Sequence, residues 1–170
     1  VDFVGPIPLA FEHEFGDFSC GRTSLDDWLK QRSRSAQKYG DARSFVLLDS
    51  PGSVAGYYSL AAASVAREVV HPRQRRNSPR PIPAILIARL AVDSRFQGRG
   101  LGARLLTDAL LRALAASESI GARLVLVHVL DEQAASFYAQ YGFVRSPALE
   151  NLMLMRIVDL RATVERRSPL

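Results

Sequence analysis

Leu90-Ala91-Val92-Asp93-Ser94-Arg95-Phe96-Gln97-Gly98-Arg99-Gly100-Leu101-Gly102 is the stretch that decides the fold. It is entered by an apolar run, Ala84 to Val92, interrupted by Arg89, which reads as a strand. Beyond the alternating glycines, Leu101, Leu105, Ala109, Leu110, Ala113 and Leu114 mark one face of a helix whose other face carries Arg104, Asp108, Arg112 and Glu118. Leu124 to Leu130, apolar except at His128, then reads as a central strand covered on both faces. Strand, glycine turn, helix and strand in this order form a βαβ unit, so the expected class is mixed α/β. Glycines between strand and helix let amides and the positive helix end approach an anion closely, which points to a phosphate-bearing ligand. No Gly-Lys-Ser/Thr follows, and the third glycine of the dinucleotide fingerprint is missing, so neither of those nucleotide loops fits. A turn that merely packs helix on strand is the alternative.

Working outward, Ser24 and Asp27 resemble a capping box, and Leu25, Trp28, Leu29, Ala36 and Tyr39 recur at helical spacing up to Gly40, so one helix is expected over about 24–39. Ser44 to Asp49 and Val54 to Ala63, separated by Ser50-Pro51-Gly52-Ser53, read as an antiparallel pair. A short helix is expected from Glu132 to Tyr141, closed by Gly142, and a last strand from Leu152 to Val158. Between the apolar blocks lies the basic stretch Arg67-Glu68-Val69-Val70-His71-Pro72-Arg73-Gln74-Arg75-Arg76-Asn77-Ser78-Pro79-Arg80-Pro81.

With 170 residues, 48% of them apolar and 23% charged, the chain suits a single domain, 1–170, with a buried core. The longest wholly apolar stretches run only a few residues, as in Ala84 to Ala88, far short of the ~20 of a membrane span, and no leader opens the chain, so a soluble protein with no membrane partner is expected. Cys20 is the only cysteine, which excludes an internal disulfide and fits a cytoplasmic location. His13, His71 and His128 are scattered without metal-ligand spacing, so no metal is expected. Twenty-two Lys and Arg against 17 Asp and Glu give a net charge of +5, which favours an acidic partner.

Gln97-Gly98-Arg99-Gly100-Leu101-Gly102 after Leu90-Ala91-Val92 resembles the Gln/Arg-x-x-Gly-x-Gly loop of the GNAT acetyltransferase superfamily, and Phe137-Tyr138-Ala139-Gln140-Tyr141-Gly142-Phe143 is similar to its second signature. The resemblance implies a central mixed sheet with flanking helices and a βαβ unit that binds acetyl-CoA where two strands splay. The pyrophosphate would lie on the amides of Gly98, Arg99, Gly100, Leu101, Gly102 and Ala103 beside Gln97, and the backbone of Leu90, Ala91 and Val92 would hold the pantetheine. Tyr138 matches the tyrosine that donates to the departing thiolate, whereas Phe137, Tyr141 and Phe143 are expected in the core. Asp131 stands where many members have Asn, and it reads equally as a helix N-cap.

Phe18-Ser19-Cys20-Gly21, Leu25-Asp26-Asp27-Trp28-Leu29, Gly56-Tyr57-Tyr58-Ser59-Leu60, Arg80-Pro81-Ile82-Pro83 and Ala88-Arg89-Leu90-Ala91-Val92-Asp93 resemble the toxin branch of that superfamily. That branch acetylates the α-amine of aminoacyl-tRNA, blocks translation, and pairs with a ribbon-helix-helix antitoxin. The chemistry agrees: no His or Glu is obviously placed as a base, and an α-amine near pKa ~8 is far easier to deprotonate than a lysine near ~10.4. Arg73, Arg75, Arg76 and Arg80, with Arg89, are the expected tRNA contacts, although twenty Arg against two Lys also fits a composition bias. Four free arginines on duplex phosphates would give a log–log salt slope of roughly −3 to −4. Lys30, Arg32, Arg34 and Lys38 could extend that surface. Rival readings are an acetyltransferase of a protein lysine or small amine, and an inactive acyl-CoA- or RNA-binding module. Neither the tRNA species nor a homodimer can be read from the sequence.

Overall fold

The computed structural model describes residues 2–49 and 52–167. Its strands are β1 (Val4–Pro8), β2 (Arg43–Leu48), β3 (Val54–Val65), β4 (Ile82–Val92), β5 (Leu124–His128), β6 (Val144–Arg145) and β7 (Leu152–Arg156). Its helices are α1 (Thr23–Gln31), α2 (Ser33–Tyr39), α3 (Pro72–Arg75), α4 (Leu101–Ser119), α5 (Glu132–Ala139) and α6 (Ile157–Arg167). The strands form a mixed sheet in the order β1-β2-β3-β4-β5-β7-β6, so the mixed α/β expectation holds. The chain divides into two compact units, residues 1–61 with 88–109 and residues 62–87 with 110–170, so β3, β4 and α4 each contribute to both.

In the first unit β1, β2 and β3 are antiparallel neighbours, with Ile7 opposite Val46 and Val46 opposite Tyr57. Their inner face joins Leu9, Phe15, Phe18, Leu29, Val46, Tyr57 and Ala91 in one apolar cluster, and Leu25 and Trp28 pack on its edge. Gly52 N–H donates to the Asp49 carbonyl at 2.8 Å in the β2–β3 turn, whose Ser50 and Pro51 lie outside the described residues. The single helix expected over 24–39 is two. Arg32 leaves the helical region at φ −122°, and the Ser33 hydroxyl bonds back to Leu29 O at 2.5 Å. The capping box fails as well: Arg22 is the N-cap residue, its side chain does not cap the first turn, and Ser24 lies inside α1. Gly40 closes α2 in the left-handed region at φ 81°, where a Cβ would be strained.

In the second unit β4 and β5 are parallel from Ala84↔Leu124 to Ile87↔Val127, and β7 runs antiparallel to β5 and to β6. Val70, Ile82, Leu124, Leu126, Leu152 and Leu154 fill its core. All six apolar positions assigned to the long helix are buried along α4. The expected last strand stops at Arg156: Ile157 N–H leaves for the Arg123 carbonyl at 2.8 Å, and Arg156 pairs with Asp159 at 2.8 Å in the first turn of α6. Val158 is therefore helical. Among the described residues no helix is long and apolar enough to cross a membrane.

Candidate active site

At the end of β4 the chain turns through Asp93, 1% exposed, whose carboxylate accepts from the Arg95 amide at 2.9 Å, from Arg95 Nε at 2.9 Å and from the Ser19 amide at 3.3 Å. Burial opposes the charge, but the Arg95 side chain and these amides outweigh it and hold the carboxyl below its usual range. Gln97 Nε2 donates to the carbonyls of Val92 (2.9 Å) and Cys20 (3.0 Å), so its amide ties the end of β4 to the 18–20 segment. The loop then passes through Gly98 and Gly100, both at φ +78°, where an added Cβ would meet nothing of the protein within 4 Å. The Arg104 amide closes onto Gly100 O at 3.1 Å, so those of Leu101, Gly102 and Ala103 belong to the first turn of α4, where helical amides lack intrahelical acceptors. The N-terminus of this 19-residue helix, preceded by two left-handed glycines with open space at their Cβ positions, is an arrangement suited to an anion. Gly56 keeps β3 close to this strand end: a Cβ there would lie 3.2 Å from Ala91 O and 3.0 Å from Leu105 Cδ1.

A second wall of the same unit is aromatic. Tyr57 donates to Leu25 O at 2.7 Å and stacks on Trp28 at 6.1 Å with a 7° interplanar angle, and the Arg89 guanidinium lies 4.0 Å over the Trp28 ring. Half-buried Arg89 makes no ion pair among the described residues, and burial lowers its pKa against the favourable pull of Tyr57. A desolvated cation on an aromatic face gains up to ~2 kcal/mol from the ring yet still lacks an anion. Cys20 is no nucleophile candidate: burial and then Asp26 push its thiol up to about 11. The sequence reading reached Arg89 but not its support, because no spacing rule brings Trp28 to a strand so far along the chain.

In the other unit Tyr138 sits on α5, whose N-cap is Asp131, accepting from the Ala134 amide at 2.8 Å. The Asp131 position is thus used as a cap. The Tyr138 ring packs edge-on against Phe137 and Phe143, is 7% exposed, and its hydroxyl makes no hydrogen bond among the described residues. Burial pushes the phenol well above its ordinary value, so it stays protonated. Phe143 is in the core as expected, while Phe137 and Tyr141 are only half-buried.

The basic stretch is folded rather than a free loop, with a 3₁₀ turn at Arg67–Val69 followed by α3. Arg80 pairs with Glu68 at 2.9 Å and Arg75 donates to Arg67 O at 2.9 Å. Arg123 in turn donates to the carbonyls of Arg76 and Asn77 at 3.0 and 2.9 Å. The side chains of Arg73 and Arg76 have no partner among the described residues, so two of the four expected phosphate contacts are uncommitted. No group of three or more His, Cys, Asp or Glu that could hold a metal occurs among the described residues.

Residues 40–145 match the acetyltransferase (GNAT) domain family. A tRNA-acetylating toxin of Mycobacterium tuberculosis (strain ATCC 25618 / H37Rv) is 44% identical over 95% of this chain and 97% of its own length. The fold superposes on AtaT complexed with acetyl-methionyl-tRNAfMet with a TM-score of 0.87 at 24% identity, covering 96% of this chain and 99% of that one. It also superposes on a mutant AtaT bound to the C-terminus of the antitoxin AtaR and acetyl-CoA, with a TM-score of 0.79 at 24% identity over 93% and 96% of the two chains. A family model that spans more than half of the chain and a relative matched over nearly the whole of both lengths agree, and the chain belongs to the GNAT acetyltransferase family.

Proposed function

We propose that this chain is the toxin of a toxin–antitoxin pair, an N-acetyltransferase that moves the acetyl group of acetyl-CoA onto the α-amine of aminoacyl-tRNA and so blocks translation. The observation that carries this reading is the 44% identity, over nearly the full length of both chains, to a protein named for acetylating tRNA. The two compact units are then halves of one acetyltransferase domain, working in the cytoplasm with a ribbon-helix-helix antitoxin as partner; a homodimer is compatible with this reading.

The open amides of Gly98 to Ala103 and the positive end of α4 hold the pyrophosphate, which the glycine φ values and the empty space about their Cβ positions support. Gln97 acts mainly by bracing the end of β4, and the backbone of Leu90 to Val92 lies along the pantetheine. Acetyl-CoA supplies an activated thioester. The neutral amine attacks its carbonyl, the C–N bond forms, the C–S bond breaks, and the amine proton passes to solvent. Tyr138 donates a hydrogen bond to the departing thiolate. A phenol held above its ordinary pKa is a donor and not a full acid, since complete transfer to a thiol near ~8.5 runs uphill. Arg73, Arg76 and Arg89 meet RNA phosphates, with Arg75 and Arg80 in support.

Incubation with labelled acetyl-CoA and total charged tRNA, followed by identification of the labelled aminoacyl nucleotide, tests the reading. Label is expected on the aminoacyl end of the RNA. Label on protein lysines or small amines instead would overturn the substrate assignment.

A further inference from the structure

An open groove of about 660 Å³ lies between α2, the end of β1 and the start of β2, lined among others by Leu9, Phe11, Arg34, Gln37, Lys38 and Arg43. Its eight lining residues include three cations and no carboxylate. The groove is held in shape from α2. Gln37 donates to Leu9 O at 2.8 Å and accepts from the Ser44 amide at 3.1 Å, bridging the two strands. Arg34 donates to His13 O at 2.5 Å and lies 4.1 Å over the Phe15 ring. His13 Nδ1 accepts from the Ala10 amide at 3.0 Å.

On this braced backbone the Phe11 ring stands 90% exposed and Tyr39 74% exposed. Lys38 lies 5.5 Å over Tyr39 with no acidic partner, and Arg43 has none either among the described residues. An exposed aromatic ring, with the Arg34 guanidinium 5.9 Å from its centroid and further cations beside it, is the arrangement that takes a phosphodiester strand by its charge and an unstacked base by its face. A protein partner would instead be anchored by side chains filling pockets. Here Phe11 is a knob, which suits a base laid across it.

The strand register places the groove. Leu47 is opposite Gly56, whose Cβ position is 3.2 Å from Ala91 O, and Arg43 is four residues back along β2, about 13 Å at the strand rise. Two strand spacings, about 10 Å, separate β2 from β4 sideways. The groove is thus a few nucleotides' reach from the strand end proposed to hold the thioester.

We propose that this groove binds an unpaired stretch of RNA, with Phe11 stacking one base and Lys38 and Arg43 pairing with its phosphates. The proposal rests on the aminoacyl-tRNA reading of the function and adds to it a single-strand site separate from the arginines of the α3 segment. Because Phe11 is almost wholly exposed, Phe11→Ala leaves the fold intact. Binding of a short unpaired, uncharged RNA oligonucleotide and of an RNA hairpin would be measured across a salt series for the full chain, Phe11→Ala and Lys38→Ala/Arg43→Ala.

Phe11→Ala should weaken the oligonucleotide by roughly 5- to 100-fold and the hairpin little. The double variant should flatten the single-strand salt slope by about 1.4, at ~0.7 per contact. Unchanged oligonucleotide binding in both variants, or an acidic peptide bound at this groove where RNA is not, overturns the proposal. Uncharged RNA needs no acetyl transfer, so the two readings fail separately: acetylation with no effect of Phe11→Ala sinks only the groove, and groove binding without acetylation sinks only the proposed function.

Discussion

Removing Arg73 and Arg76 together is the sharpest test of the basic segment, because the structure gives the four arginines expected to contact tRNA there unequal roles. Arg80 is paired with Glu68 and Arg75 with the Arg67 carbonyl, whereas the side chains of Arg73 and Arg76 are uncommitted. At about 0.9 per duplex phosphate, Arg73→Ala/Arg76→Ala should flatten the log–log salt slope of tRNA binding by about 1.8. Between 50 and 200 mM salt, a fourfold change, that is a factor of about 12 in the salt-dependent loss of affinity. Adding Arg75→Ala and Arg80→Ala should flatten the slope by clearly less than a further 1.8, since each must give up an internal partner before meeting phosphate. Anisotropy of labelled tRNA across the salt series, with acetyl-CoA affinity as the control for folding, reads both numbers. An unchanged slope in the double variant would remove the segment from the RNA surface. A full additional 1.8 in the quadruple variant would show that the internal pairings do not restrain Arg75 and Arg80.

Gly100→Val should abolish acetyl-CoA binding by calorimetry, because a β-branched residue at φ +78° strains the loop and its added atoms would stand in the open space of the proposed pyrophosphate cradle, with the melting temperature as the control that the rest of the chain stays folded; binding as tight as in the parent would refute the loop assignment. Tyr138→Phe should lower turnover by ~10²- to 10⁴-fold with acetyl-CoA affinity unchanged. Its melting temperature should hold, since the hydroxyl gives up no hydrogen bond within the described residues, and undiminished turnover would return Tyr138 to a packing role.

The βαβ unit was legible because its period changes sharply, from the apolar run before Val92, through glycines, to the buried stripe of Leu101, Leu105, Ala109 and Ala113. The break at Arg32 was not, since helical spacing continues across it and the buried Ser33 hydroxyl bonded to Leu29 O leaves no mark in the pattern. Likewise Leu152 to Val158 is apolar except at Arg156, and only the pull of Arg123 O on Ile157 N–H and the Arg156–Asp159 pair turn its end into a helix. β1 escaped notice because Pro6 and Pro8 disguise an edge strand and its register slips between Val4 and Ile7. At the proposed site, the glycines and Tyr138 stand out in the sequence by type and spacing. The Arg89–Trp28–Tyr57 stack does not, because it depends on which strand a distant helix happens to cover.

The protonation of the acceptor ties these parts together. His13 and His71 use their Nδ1 atoms to accept from the Ala10 and Arg73 amides, so two of the three histidines serve as loop and helix caps rather than as bases. An amine that must arrive neutral is then selected by its own pKa. At pH 7 about one α-amine in seven is free at pKa ~7.8, against about one lysine in 2,500 at ~10.4, a ratio of about 350, or about 3.5 kcal/mol at 1.36 per unit. Arg89, proposed above to meet RNA phosphates, would bring the RNA that carries such an amine to the end of β4, its half-buried charge having no anion of its own among the described residues.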